Sequence, residues 1–420
     1  MKGKSVVRGV IVHAPEFGSL NILENGFILL QNGRIEDISC SLPPQYRDAP
    51  QTDYGSCLII PSFADMHLHA PQYPMIGLGL DKKLLEWLEA YTFPTEAKFA
   101  DAAYARKVYR IFAGDLVNKG TTRVCVFSSI HRAATHVLME ELELAGITGY
   151  AGKVNMDSNC PPSLRESAEE SLSETRRWVM ECKNSYSAIK PILTPRFAPS
   201  CSNSLLAGLG ELAGEFGLPV QSHLSESIDE IKWVRELFPD CRRYWEVYDK
   251  YGLFGGFTAL AHCVYSDKEE RRAMAVRGVT AVHCPESNIN LSSGAAHVRR
   301  MTEEGVRVAL GTDIAGGAEL SMMRAVTAAI RTSKLISHGS DSPLSAAEAF
   351  YMATSAGQAF FGAGPGFKKG DMLHAVVLSD AELPKTLTLS TAERLERLLY
   401  FAQDSSILAV YSEGKRIKPY

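Results

Sequence analysis

Short apolar runs alternate with longer amphipathic stretches over most of the chain. Short runs closed by turn residues read as buried strands, and longer stretches of helical period read as helices. The strand series opens at Cys57–Ile60. It continues with Thr121–Phe127, Ile147–Val154, Ile189–Arg196, Leu218–His223, Phe257–His262, Val279–Cys284 and Val306–Asp313. Helix-like segments separate them, at Lys82–Tyr91, Thr95–Asn118, His131–Ala145, Glu166–Asn184, Ser202–Phe216, Ser227–Leu237, Arg242–Tyr251, Asp267–Arg277 and Val298–Glu304. Glycines such as Gly120, Gly146, Gly278 and Gly305 follow helix ends as C-cap signals. Glu319–Ser337 and Leu344–Phe360 are helical beyond the last strand.

Strict alternation of strand and helix predicts a parallel sheet with right-handed crossovers. Eight units over about 250–300 residues match a (β/α)8 TIM-type barrel, with a doubly wound open sheet as the competing arrangement. Ahead of the series, Ser5–Ala14 and Gly26–Ile38 are strand-like, and Asn32-Gly33 marks a hairpin turn. After Gly366 the β character returns at His374–Leu378 and Ile407–Tyr411. The predicted organisation is an α/β barrel over 58–365 and a small β-sandwich domain built from both ends, 1–57 and 366–420. No low-complexity linker or solenoid repeat interrupts it.

The polar residues that close the strands carry the chemistry. His67 and His69, two apart on a strand, project from one face and can share a metal ion such as zinc or iron. An isolated His-x-His is more often an accident of sequence. Here His223, His262 and Asp313 also sit at strand ends, where barrel active sites form. A lone strand-end histidine is ordinarily a hydrogen-bonded structural residue, and Asp313 alone could cap a helix. Five such residues at matching ends instead describe an open catalytic metal site. His283 ends a strand too, but Cys284-Pro285 and Ser287-Asn288 beside it favour a structural role or a supporting one. His13, His131, His136, His297, His338 and His374 are off the pattern. Glu226, three residues after His223, reads equally as a proton carrier beside a metal-bound water and as a charge at the start of a helix. The fourth strand ends in Thr194-Pro195-Arg196 without a lysine, which favours one metal over a lysine-bridged pair.

Composition narrows the class. The net charge of -4 and the absence of a Lys/Arg block argue against nucleic acid as a partner. No apolar run is long enough to span a bilayer, and the N-terminal stretch lacks the apolar core of a signal peptide. The nine cysteines are scattered without a Cys-x-x-Cys pair. That argues against a disulfide framework and a cysteine zinc cluster, and points to a reducing cytoplasm.

With these residues in view the chain resembles the amidohydrolase superfamily over its whole length, through His67-Leu68-His69, His223, His262 and Asp313. Finer stretches resemble its guanine deaminase family. They include His69-Ala70-Pro71-Gln72, Tyr91-Thr92-Phe93-Pro94-Thr95-Glu96, Thr194-Pro195-Arg196-Phe197 and Ser222-His223-Leu224-Ser225-Glu226. Ser62 departs from the glycine usual before the aromatic residue. The resemblance implies one zinc per subunit held by His67, His69, His223 and Asp313, with His262 beside the water or substrate. It implies a guanine pocket formed by Gln72, Arg196 and Phe197 together with His69, His223, Glu226 and Asp313. Glu226, Asp313 and His262 would be catalytic, with a homodimer as the assembly. Without the resemblance, Gln72 reads as a loop hydrogen bond, Arg196 as a salt bridge and Phe197 as packing.

The expected reaction is hydrolytic deamination of guanine to xanthine and ammonia. A related deaminase or chlorohydrolase acting on another heterocycle (8-oxoguanine, a triazine, an adenosine-type thioether) is the alternative. A non-catalytic scaffold is disfavoured by the full ligand set. The cytidine-deaminase type needs His-x-Glu and Pro-Cys-x-x-Cys, and neither is present.

Overall fold

The computed structural model describes residues 3–337, 342–384 and 386–418. The chain opens with β1 (Lys4–His13), β2 (Asn21–Gln31), β3 (Arg34–Ser39) and β4 (Gln51–Pro61). The turn between β2 and β3 places Asn32 and Gly33 at φ 52° and 79°. Those left-handed values suit a tight hairpin turn and explain the Asn-Gly pair. Next come the strands that carry the site: β5 (Phe63–His69), β6 (Thr121–Phe127), β7 (Thr148–Gly152), β8 (Val154–Asn155), β9 (Ile189–Pro191), β10 (Thr194–Pro195), β11 (Val220–Leu224), β12 (Thr258–His262), β13 (Thr280–His283) and β14 (Arg307–Leu310). The chain closes with β15 (Ala375–Leu378), β16 (Ile407–Ser412) and β17 (Lys415–Arg416).

Two four-stranded parallel sheets form, β5-β6-β7-β9 and β11-β12-β13-β14, with β8 and β10 paired beside them. Backbone hydrogen bonds join the two sheets at both seams. On one side, Asp313 N donates to His67 O at 2.8 Å and His69 N to Ile314 O at 2.9 Å. On the other, Leu193 N donates to Pro219 O at 3.0 Å and Gln221 N to Leu193 O at 2.9 Å. A small apolar cluster, including Met66, Cys125, Ile192, Ala259, Val282 and Ala309, lies among these strands. Helices cover their other side, and the main core fills that layer. The result is an α/β fold built on parallel sheets.

The strands from both ends form one seven-stranded sheet in the order β17-β16-β15-β4-β1-β2-β3. One face buries Val10, Val12, Leu58, Ile60, Val376 and Leu378 in the main core, and the other buries Val7, Ile11, Ile28, Ile59, Val377 and Tyr411 in a second cluster. This sheet accounts for a difference from the sequence reading. The run Cys57–Ile60 lies in β4, paired with β1 and β15, and does not continue into the strand that ends at His69. The chain passes through Ser62 and starts β5 at Phe63. Burial on both faces makes the two strands indistinguishable by composition.

Three other elements differ. Ile189–Arg196 is two short strands, because Pro191 and Pro195 cannot donate to a ladder. The Lys82–Asn118 stretch contains a π turn at Leu88–Thr92 before the regular helix Ala102–Asn118. The helix Thr391–Phe401, opened by a Ser390/Glu393 capping box, was not among the predicted elements. Among the described residues, no helix is long and apolar enough to cross a membrane.

Candidate metal and substrate site

The strand-end residues converge. His67 and His69 end β5, His223 lies in β11, His262 ends β12, and Asp313 lies three residues past β14. His67 Nε2 is 3.3 Å from Asp313 Oδ1, His69 Nε2 is 3.5 Å from the same oxygen, and His69 Nε2 is 3.2 Å from His223 Nε2. Four ligand atoms held at 2.0–2.1 Å around a tetrahedral zinc ion would be spaced by about 3.3–3.4 Å. Nε2 of His67, the nitrogen turned to Asp313, is buried without a hydrogen-bond partner. Nitrogen and oxygen lone pairs packed face to face in a buried space are the donor set a divalent cation needs, so the residues fit a metal.

Protonation favours ligation. Burial holds His67 below the ordinary histidine range, and burial together with neighbouring positive charge holds His69 and His223 well below it. Burial pushes Asp313 up, but the attractions of His67, His262 and His223 together outweigh it and hold the carboxyl at about 2. Neutral imidazoles and an ionised carboxylate are the ligating forms. Cys284 also approaches His262 and Asp313, but burial drives its thiol well above the usual range and keeps it protonated. Lys153 is buried near the third strand, with Nζ committed to Glu166 Oε2 at 2.7 Å.

Supporting contacts aim the ligands. His223 Nδ1 lies 2.5 Å from the Arg196 carbonyl oxygen, which accepts its proton and leaves Nε2 free as a lone pair. Asp65, two residues before His67 on the same strand face, accepts from Thr312 N at 3.0 Å and Thr312 Oγ1 at 2.5 Å. It ties the turn before Asp313 to β5. Gly311 makes the approach possible, since a Cβ there would lie 2.9 Å from His67 O and 3.0 Å from His67 N. His262 and Asp313 adopt φ values of 72° and 50°, left-handed backbone that non-glycine residues seldom hold. Such outliers gather at functional sites.

His262 stands beside this cluster. Its Nδ1 is 2.9 Å from Asn288 Oδ1, and its Nε2 faces Glu226 Oε2 at 3.5 Å and Asp313 Oδ2 at 3.8 Å. Burial lowers its pKa, but the two carboxylates and the Asn288 hydrogen bond raise it above the ordinary value. Glu226 is buried and accepts from Ser293 Oγ at 3.0 Å. Burial, reinforced by Glu230 and Asp313 and opposed by His262, pushes its carboxyl up to about 7.

A narrow pocket opens on this cluster. Its lining combines His69, His223, Glu226, His262 and Asp313 with Gln72, Arg196 and Phe197 and with the apolar Leu84, Trp87, Leu88 and Leu291. Every residue singled out for metal or substrate is therefore in or beside one cavity; His67 lies just beneath it, against Asp313. His283 is buried without lining the pocket, and His338 lies outside the described residues. Trp87, Leu84, Asn288, Ser293 and Asp65 were not singled out as site residues. Asp65, two residues ahead of His67, and Asn288, in the Ser287-Asn288 pair near His283, carried a sequence signal.

A strand-end His/Asp cluster set among parallel strands points to a class of protein before it points to a particular one. A profile of the amidohydrolase family matches residues 58–417. The chain belongs to the amidohydrolase family, whose members are metal-dependent hydrolases. It is similar to the guanine deaminase of Dictyostelium discoideum, 33% identical over 452 residues with 100% of both chains covered. It is 34% identical to the guanine deaminase of Rattus norvegicus over 430 residues, covering 99% of this chain and 93% of the rat protein. The solved guanine deaminase from C. acetobutylicum, with guanine bound in its active site, superposes with a TM-score of 0.96 at 42% identity, covering 99% of this chain and 100% of that one.

Proposed function

We propose that this chain is a zinc-dependent hydrolase that deaminates guanine to xanthine and ammonia. The observation that carries the reading is one cavity in which a His/Asp ligand cluster faces Gln72, Arg196 and Phe197. Full-length similarity to guanine deaminases of several organisms supports it. The hydrogen-bonded circuit of parallel strands supports a (β/α)8 barrel over 58–365, with the residues 1–57 and 366–420 as a composite β domain.

His67, His69, His223 and Asp313 would hold one zinc ion, with His262 outside the ligand set. Bound there, zinc supplies the Lewis acidity that brings the pKa of a water from about 15.7 towards 7. The protein's own residues do the rest. Gln72 keeps one amide hydrogen and one carbonyl lone pair for an edge of the base, and Arg196 offers its guanidinium to the six-carbonyl oxygen. Phe197 packs on the ring. Asp313 and His262 take the proton of the attacking water. Glu226, its carboxyl pushed up to about 7, gives its one proton to ring N3; the two protons of the water, released through Asp313 and His262 as the new hydroxyl becomes a carbonyl, restore the Glu226 proton and convert the leaving amino group to ammonia. Trp87, Leu84, Leu88 and Leu291 keep bulk water from the reacting carbon.

The test is ammonia release from guanine, 8-oxoguanine, adenine and a chlorotriazine, run beside metal analysis of the same sample. Guanine as the preferred substrate and about one zinc per chain are expected. Release from another ring with none from guanine would refute the substrate while leaving the family membership intact.

A further inference from the structure

Glu96 is buried against the pocket wall, and nothing in the proposed chemistry employs it. Its side chain is 2% exposed. Oε1 accepts from Gln72 Nε2 at 2.9 Å, and Oε2 accepts from Arg196 Nη1 at 2.6 Å. Both partners line the substrate pocket, and they come from positions 24 and 100 residues away in the chain. A buried carboxylate is costly unless engaged, and the two hydrogen bonds to this one both come from groups that line the pocket.

Its two bonds fix what the pocket presents. The Gln72 amide has its oxygen held by Ala315 N at 3.1 Å and its nitrogen by Glu96, so the amide cannot flip. The Arg196 guanidinium is held by Glu96 at one edge and packs over Phe93, 5.4 Å from the ring centroid. The carboxylate also cancels the guanidinium charge. A buried, unpaired guanidinium selects anions, whereas a paired one presents hydrogen-bond donors with little net charge.

We propose that Glu96 is a positioning and specificity-determining residue. It orients Gln72 and Arg196 for a neutral purine, and it disfavours purines that carry a negative charge. This rests on the guanine reading of the same pocket.

The experiment compares wild type, E96Q and E96D in guanine turnover. It also measures binding of urate, anionic at neutral pH, and hypoxanthine, neutral at that pH, by titration calorimetry on the zinc-loaded proteins. For E96Q, KM for guanine should rise about 100-fold with a much smaller change in kcat. The ratio of urate Kd to hypoxanthine Kd should fall about tenfold, because the Arg196 charge is now exposed to the ligand. E96D keeps the charge on a shorter arm, so it should raise KM yet preserve the wild-type Kd ratio. An E96Q enzyme with unchanged KM overturns the positioning role. A Kd ratio that is the same in wild type and E96Q overturns the charge-selection role, because general damage to the pocket weakens both purines alike. Wild type that releases no ammonia from guanine refutes the parent reading instead, and the two Kd values still decide the role of Glu96.

Discussion

Replacing Glu226 by glutamine removes one titratable proton and almost no volume. In wild type, Oε1 accepts from Ser293 Oγ at 3.0 Å and Oε2 faces His262 Nε2 at 3.5 Å. A glutamine amide can keep its oxygen on Ser293, so the pocket should keep its shape. Proton transfer by a positioned side chain contributes about 10²–10⁴-fold to a rate. Loss of Glu226 should therefore lower kcat by that factor, about 3–5.5 kcal/mol in the barrier, with guanine binding within a few-fold of wild type.

Stability should move the other way. The Glu226 carboxyl is raised from 4.5 to about 7 chiefly by burial. A group with a raised folded pKa contributes stability that is complete below 4.5 and is lost as pH rises through about 7. At about 1.4 kcal/mol per pH unit the loss is roughly 3 kcal/mol, and glutamine avoids it. Metal-stripped E226Q should be more stable than metal-stripped wild type at pH 8 and indistinguishable from it at pH 4.5. Stopped ammonia release with retained guanine affinity, beside urea unfolding at the two pH values, tests both halves. Near-normal kcat in E226Q would refute the proton-carrier role. Lower stability at pH 8 would refute the account of its burial.

Two further outcomes follow from the geometry. Gly311→Ala places a Cβ 2.9 Å from His67 O, so it should cost about 1–3 kcal/mol and weaken metal retention; thermal unfolding and metal analysis check this, and unchanged values would show that the β5–β14 seam yields. His374 is buried against Thr122 and Glu413, and burial, with Arg123 adding to it, outweighs Glu413 and lowers its pKa to about 4. Its contribution is present above 6.5 and lost as pH falls to about 4, roughly 3 kcal/mol in all. H374Q should flatten that part of the pH dependence in urea unfolding, and an identical slope in H374Q and wild type would place the acid sensitivity elsewhere.

The strand-end residues were legible because each is a polar residue closing an apolar run. His223 after Val220, His262 after Leu260 and Asp313 after Leu310 needed only the period of a strand and the rule that barrel sites gather at strand ends. The hairpin at Asn32-Gly33 was legible for a similar reason, since backbone conformation is encoded within two residues. The boundary at Ser62 was not. Leu58–Ile60 and Phe63–Leu68 are both buried on two faces, so no alternation separates the sheet strand from the strand that carries the histidines.

Glu96 marks a deeper limit. By local pattern it is one acidic residue in a helical stretch, like the exposed Glu86 and Glu89; the resemblance includes it only as the end of Tyr91–Glu96 and assigns it no role. What distinguishes it is a pair of contacts, one to Gln72 and one to Arg196, that exist only after two short helices and a strand end have been brought together. Periodicity reports which face of an element is buried, and turn chemistry reports where it stops. Neither reports which buried acid meets which buried base. The same holds for Arg196, whose carbonyl aims His223 while its guanidinium faces the pocket. One backbone position thus couples the ligand cluster to the substrate wall. A substitution that displaces the Arg196 backbone should therefore disturb metal binding and substrate binding together, whereas one that only neutralises Glu96 should spare the metal.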